Sequence, residues 1–189
     1  GDLHKAARDG NLEEVDRILS IPDGKAPDPN DRDNLGRTAM HLASWAGHAA
    51  IVRRLSDEKG DPSARAGDDI TSLHFACQKG HLEVLNQLIE CKAELNPVDR
   101  KKKNSPLHVA CEKGFGDLVD VLVQAGANIK AANRAGQTPF DVAKDDETRM
   151  KLPGGFSKLK GERAAWKTRD PQGFEQAQAE LAAKKAEAP

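Results

Sequence analysis

The chain contains no tyrosine, and two tryptophans with five phenylalanines bring its aromatic content to only 4%. So few rings argue against an aromatic-lined ligand cavity and suit helices packed through small side chains. Charge of one sign is missing too: 29 basic and 30 acidic residues leave a net charge of −1. That balance gives no overall field toward nucleic acid or an anionic membrane, although 31% of the residues are charged. No apolar run approaches the length of a membrane span, and no secretory signal is seen. The 3 cysteines, an odd number scattered along the chain, read as reduced thiols and not as a disulfide framework. The expected location is intracellular, cytoplasmic or nuclear. Because Gly1 stands where a methionine would, we expect a piece of a longer protein with flanking domains.

What the chain does have is a beat. His4, His41, His74 and His108, with Asp141 in the same slot, recur at intervals of 37, 33, 34 and 33 residues. Gly10, Gly47, Gly80 and Gly114 keep the same phase. A period in this range signals a stacked array of helical units. Thr38, Thr71, Ser105 and Thr138 stand where an N-cap is needed, their hydroxyls accepting from free amides of the first turn. Pro106 and Pro139 follow at the first helical position, where a missing N–H costs nothing. The histidine two places later falls at the third helical position, from which a side chain reaches back to the cap. Asp141 replaces it in the last unit, where a carboxylate suits a helix N-terminus.

Glycine then ends each first helix, because a left-handed residue is cheapest without a Cβ. The second helices carry Ile51, Val52 and Leu55; Val84, Leu85, Leu88 and Ile89; and Leu118, Val119, Leu122 and Val123, apolar stripes for neighbouring units. Gly126 closes the fourth second helix, whereas Lys59 and Lys92 hold that place in units two and three. A non-glycine residue there costs about 1 kcal/mol, so tightened or frayed ends are expected. Turn-rich links such as residues 30–37 suit projecting hairpins.

These residues carry a resemblance. Residues 38–43, 71–76, 105–110 and 138–143 closely match the Thr-Pro-Leu-His-x-Ala signature of the ankyrin-repeat family, and Gly47-His48 and Gly80-His81 match the Gly-His that follows it. Residues 126–129 and 92–96 resemble the family's turn between repeats. The resemblance covers about four-fifths of the chain and implies an all-α solenoid of helix-turn-helix units linked by hairpin loops. The expected division is an ankyrin-repeat domain over 1–152, with repeats 1–34, 35–67, 68–101, 102–134 and 135–152. A C-terminal extension over 153–189 is expected to carry a helix over 171–187.

Individual units depart from the pattern. Glu14 falls where later units have an apolar residue, as an N-terminal cap requires. The link from Ile21 to Asn30 is about four residues longer than later ones and reads as a tolerated extension. Trp45 shares its register with Arg8, Gln78 and Glu112, so it is expected on the open face of the first helix. The tips of units three and four lack the glycine held by Gly36 and Gly136, which predicts different turns. Asp68-Asp69 and Arg100 to Lys103 give neighbouring tips opposite sign, a solvated run or a landing strip for an acidic ligand. Unit five has a first helix expected from Pro139 to Lys144 and a weak, charged second helix that closes the array.

No catalytic set emerges. All six histidines fall on repeat positions, and Cys77 and Cys111 share a slot filled by Ser44 and Ala7 in other units. Their spacing from His74 and His108 tempts a zinc reading, but small-residue packing and capping account for them. Nothing is left to assemble a nucleophile with a base, and Gly154-Gly155-Phe156-Ser157-Lys158 lacks the spacing of a phosphate loop. We therefore expect no enzyme activity, cofactor, metal or small-molecule substrate. Nucleic acid would have to use Arg100 to Lys103 and the stretch Lys158 to Arg169 with Trp166, and is disfavoured without a basic stripe. The family resemblance implies a partner protein held on a concave surface of hairpin tips and first helices. Its expected lining is Arg32, Leu35, Arg37, Trp45, Ala46, Asp68, Ile70, Gln78, Lys79, Arg100, Lys102, Glu112, Lys113 and Arg134. Alternatives are a regulatory or targeting segment of a larger enzyme or channel, and a tail that occupies the groove of its own repeats.

Overall fold

The structure is a computed structural model that describes residues 2–22, 25–155, 170–173, 175, 176 and 179. Helices follow one another in antiparallel pairs: α1 (Asp2–Asp9) with α2 (Leu12–Leu19), α3 (Ala39–Ala46) with α4 (Ala49–Asp57), and α5 (Ser72–Lys79) with α6 (Leu82–Glu90). Two more pairs follow, α7 (Pro106–Lys113) with α8 (Gly116–Gln124) and α9 (Pro139–Val142) with α10 (Asp146–Lys151). The first helices pack on each other in the order α1, α3, α5, α7, α9, and the second helices form a parallel layer from α2 to α10. The fold is the all-α repeat solenoid read from the sequence.

The core follows the period. Ala6, Ala43, Ala76, Ala110 and Ala143 are all buried in one slot, where a small side chain lets the first helices approach closely. Leu3, Met40, Leu73 and Leu107 fill the larger slot three residues before it, and Val52, Leu85 and Val119 supply the second layer. Glu14 in the first unit is only half-buried and pairs with Arg17 at 2.6 Å, as a solvent-facing cap should.

Two features differ from expectation. Lys59 and Lys92 neither tighten nor fray their helices; both adopt left-handed backbone, at φ 66° and 61°. Gly60 N–H then donates to Leu55 O (2.8 Å) and Ala93 N–H to Leu88 O (3.0 Å), the bonds that Ala127 makes to Leu122 after Gly126. Closing those bonds outweighs the backbone cost of a Cβ. The first helix of unit five ends at Val142, not at Lys144. With no glycine stop, Ala143 turns extended and Lys144 N–H crosses to Cys111 O at 3.0 Å. Lys144 Cδ thus approaches Gly114, the place that a ring takes in earlier units. Of the expected C-terminal helix, residues 171–173, 175, 176 and 179 are helical, and the rest lies outside the described residues.

Candidate partner-binding face

Three ladders lock the units and hold their open face in place. In the first, Thr38 N–H and Oγ1–H both donate to His41 Nδ1 (3.1 and 2.9 Å), leaving Nε2–H to donate to Ala64 O at 3.0 Å. His74 does the same between Thr71 and Asn104 O, and His108 between Ser105 and Gln137 O. Both nitrogens are used in a neutral ring. Burial pushes the His41 imidazole down to about 4, and lowers His74 and His108 for the same reason.

The second ladder joins the tips through backbone: Gly67 N–H donates to Leu35 O (3.1 Å), Arg100 N–H to Asp68 O (2.8 Å) and Arg134 N–H to Lys102 O (2.7 Å). The third follows the second helices, where Asn30, Ser63 and Asn96 side chains accept from Asp61, Glu94 and Asn128 N–H. Asn30 also donates to Lys59 O, so the end of the long first link is pinned to the next unit.

Within the tips, Asp33, Asp99 and Asn133 each accept two backbone N–H groups of their own turn. Unit three has Ala66 there instead, and Asp68 and Asp69 both stand at φ 60°. Unit four carries one extra residue, so Asp99 N–H reaches Asn104 O and Lys103 takes the left-handed position. The opposite charges of these tips are spent on each other. Lys101 pairs with Asp68 at 2.8 Å and Arg100 with Asp69 at 3.3 Å, while Lys102 turns to Glu112 on α7 at 3.8 Å. That leaves little of the acidic tip free.

Grooves run between successive units. The first, of about 340 Å³, is lined by Leu35, Arg37, His41, Leu42, Trp45, Ala66, Gly67, Asp68 and Phe75. Leu35 is 62% exposed and Trp45 39%. Phe75 meets the Trp45 ring edge-on at 5.6 Å, and Lys79 Nζ lies 3.7 Å over it. Between units three and four, Ile70, Gln78, Lys102, Val109, Glu112 and Lys113 line a second groove. Lys102, Glu112 and Arg134 line the next, with Asn133, Gln137 and Asp141.

Of the expected lining, Leu35, Arg37, Trp45 and Asp68 come together in the first groove. Ile70, Gln78, Lys102, Glu112 and Lys113 meet in the second, and Lys102, Glu112 and Arg134 in the third. Arg32 instead borders a hollow formed with α1, α2 and the long link. Arg100 points off the tip with 70% of its side chain exposed. Ala46 lines none of these grooves; it is half-buried at the end of α3. Leu42 and Phe75 were missed. Their signal was present, since the residue after the repeat histidine is apolar in Leu42, Phe75 and Val109 but is Lys5 in the first unit.

The remaining chemistry is structural. Cys77 and Cys111 are fully buried free thiols, and burial pushes Cys77 up and Cys111 up to about 12, so neither ionises near neutral pH. No group of three or more His, Cys, Asp or Glu among the described residues is placed to hold a metal ion. No helix among them is long and apolar enough to cross a membrane.

Comparison with known proteins agrees with this geometry. Family models described as "Ankyrin repeats (many copies)" and "Ankyrin repeats (3 copies)" match residues 3–56 and 73–146. The chain belongs to the ankyrin-repeat family. Repeats of this family are generally protein–protein interaction modules, and domains built from them are typically non-catalytic. The chain is similar to oxysterol-binding protein-related protein 1 of Rattus norvegicus and of Mus musculus, 39% identical over 64 residues to each. The match covers 34% of this chain and only 6% of either relative.

Proposed function

We propose that the chain is a non-enzymatic adaptor that holds a partner protein inside the cell on the concave face of tips and first helices. The groove of Leu35, Trp45 and Phe75 is its anchoring point. The observation that carries this reading is a half-exposed tryptophan, fixed between Phe75 and Lys79, at the mouth of an apolar groove. Tryptophan is among the strongest hot-spot residues, and a face held by three ladders loses little entropy on docking. Trp45→Ala should weaken partner capture from lysate by more than about 1 kcal/mol and leave the melting midpoint nearly unchanged. Lys102→Glu, made alongside, reports on the polar grooves. Lost stability with undiminished capture would make Trp45 a core residue and reject the reading.

A second reading is favoured by the short span of the relatives that is matched. Their 64 matched residues make up 6% of a much larger chain, so the present repeats could serve as the targeting or regulatory segment of a larger protein. A transcript encoding little beyond these residues would remove that reading.

A further inference from the structure

The face assembled by the first helices has a charge that the whole chain does not. The chain is net −1, yet the three grooves and their edge gather six cations (Arg37, Lys79, Lys101, Lys102, Lys113, Arg134) against four carboxylates (Asp68, Asp99, Glu112, Asp141). Asp68 and Glu112 pair with Lys101 and Lys102, while Asp99 and Asp141 accept backbone N–H groups of their own turns. Arg37 and Arg100 are likewise paired, with Asp33 and Asp69. Lys79, Lys113 and Arg134 are exposed and have no carboxylate within ion-pair distance among the described residues.

These cations are ordered along the array. The groove between units two and three is apolar, and Lys79 stands at its edge over the indole. The next groove mixes Ile70 and Val109 with Lys113. The one after it is polar, with Lys101, Lys102 and Arg134 set against Glu112 and Asp141. An anchor at one end thus leads into unpaired positive charge at the other.

A second observation marks the anchor end. Consecutive left-handed Asp68 and Asp69 are costly backbone, of the kind retained where a site needs a particular shape. Ala66, Gly67 and Asp68 line that groove together with Leu35, Trp45 and Phe75.

We propose that the partner presents an acidic linear segment with one large aliphatic or aromatic side chain. That side chain seats between Leu35, Trp45 and Phe75, and the carboxylates that follow lie over Lys79, Lys113 and Arg134. The proposal rests on the protein-binding reading and adds the chemistry of the partner. A nucleic acid would also seek cations, but base stacking needs an open ring face. Lys79 already occupies one face of Trp45 at 3.7 Å, and Phe75 packs perpendicular to the indole at 5.6 Å.

The test selects short random peptides displayed on phage against the immobilised full chain, then measures the enriched peptides by fluorescence anisotropy. Enriched sequences should combine a Leu, Ile, Phe or Trp with flanking Asp or Glu. Their Kd should rise about tenfold with Trp45→Ala and again with the Lys113→Glu, Arg134→Glu double change, and rise with added salt. Leu35→Ala, at an exposed tip, serves as the anchor variant should Trp45→Ala unfold. Neutral or basic peptides that bind in a Trp45-dependent or Leu35-dependent way would overturn the acidic partner and leave the protein-binding reading standing. A selection yielding no peptide sensitive to either change would overturn both. Tighter binding of a poly-uridine oligonucleotide than of the selected peptides would overturn the proposal in favour of nucleic acid.

Discussion

Gly80 and Gly126 look alike in the sequence, each following a helix in the same family pattern, and the structure separates them. Gly80 stands at φ +79°, and a Cβ there would meet the Phe115 ring at 2.9 Å; Gly126 stands at φ +94° with nothing within 4 Å. The first pays for both backbone and a clash, the second for backbone alone. Gly80→Ala should therefore cost about 2–3 kcal/mol and Gly126→Ala about 1 kcal/mol. Urea unfolding of the two variants checks this, and equal losses would mean that the ring moves aside freely. The glycine stop was legible in the chain, but its second role was not. His48, His81 and Phe115 follow their own glycines in sequence, yet each lies on the glycine of the preceding unit, near Gly10, Gly47 and Gly80. Only stacking brings those pairs together.

For the helices, caps were the most readable feature. The four N-caps expected from the sequence, Thr38, Thr71, Ser105 and Thr138, form the reciprocal box, with His41, His74, His108 and Asp141 each reaching back from the third helical position. Helix ends were less readable, because a left-handed lysine has no sequence signal of its own. Lys92 at φ 61° closes α6 with the hydrogen bonds that Gly126 makes after α8. Lys92→Gly should remove the strained Cβ and stabilise by about 0.5–1 kcal/mol, offset in part by a freer unfolded chain. Chemical denaturation measures it, and a loss of stability would show that the lysine stem contributes contacts. The shortened α9 was hidden for a related reason: its end is set by Lys144 N–H crossing to Cys111 O, a bond to another unit.

Across the whole array, the histidine ladder ties stability to pH. Each imidazole is neutral when folded, and its folded value lies below the ordinary one, so the unfolded chain takes up protons first. The stabilisation is complete above about pH 6.5, the free imidazole value, and declines as pH falls. For His41 the decline continues down to about 4, its folded value. That shift corresponds to about 3 kcal/mol for His41 alone. Asp33, whose carboxyl is held below its ordinary range by Arg37 and by N–H groups despite some burial, adds loss in the same direction at more acid pH. The urea midpoint should fall steadily between pH 7 and pH 4.5, and a flat profile would contradict neutral, doubly bonded rings.

The chain by itself determined the unit, its caps, its stops and the apolar stripes. Those are local, and a side chain within a few residues of its partner leaves a spacing in the sequence. Tertiary structure alone decided how the face is finished. Asp68 and Asp69 are neutralised by residues more than thirty positions away, Phe75 packs perpendicular to Trp45 from the next unit, and Arg32 and Ala46 fall away from the grooves. Such pairings depend on the register between neighbouring units, and register is set by packing that no single repeat contains.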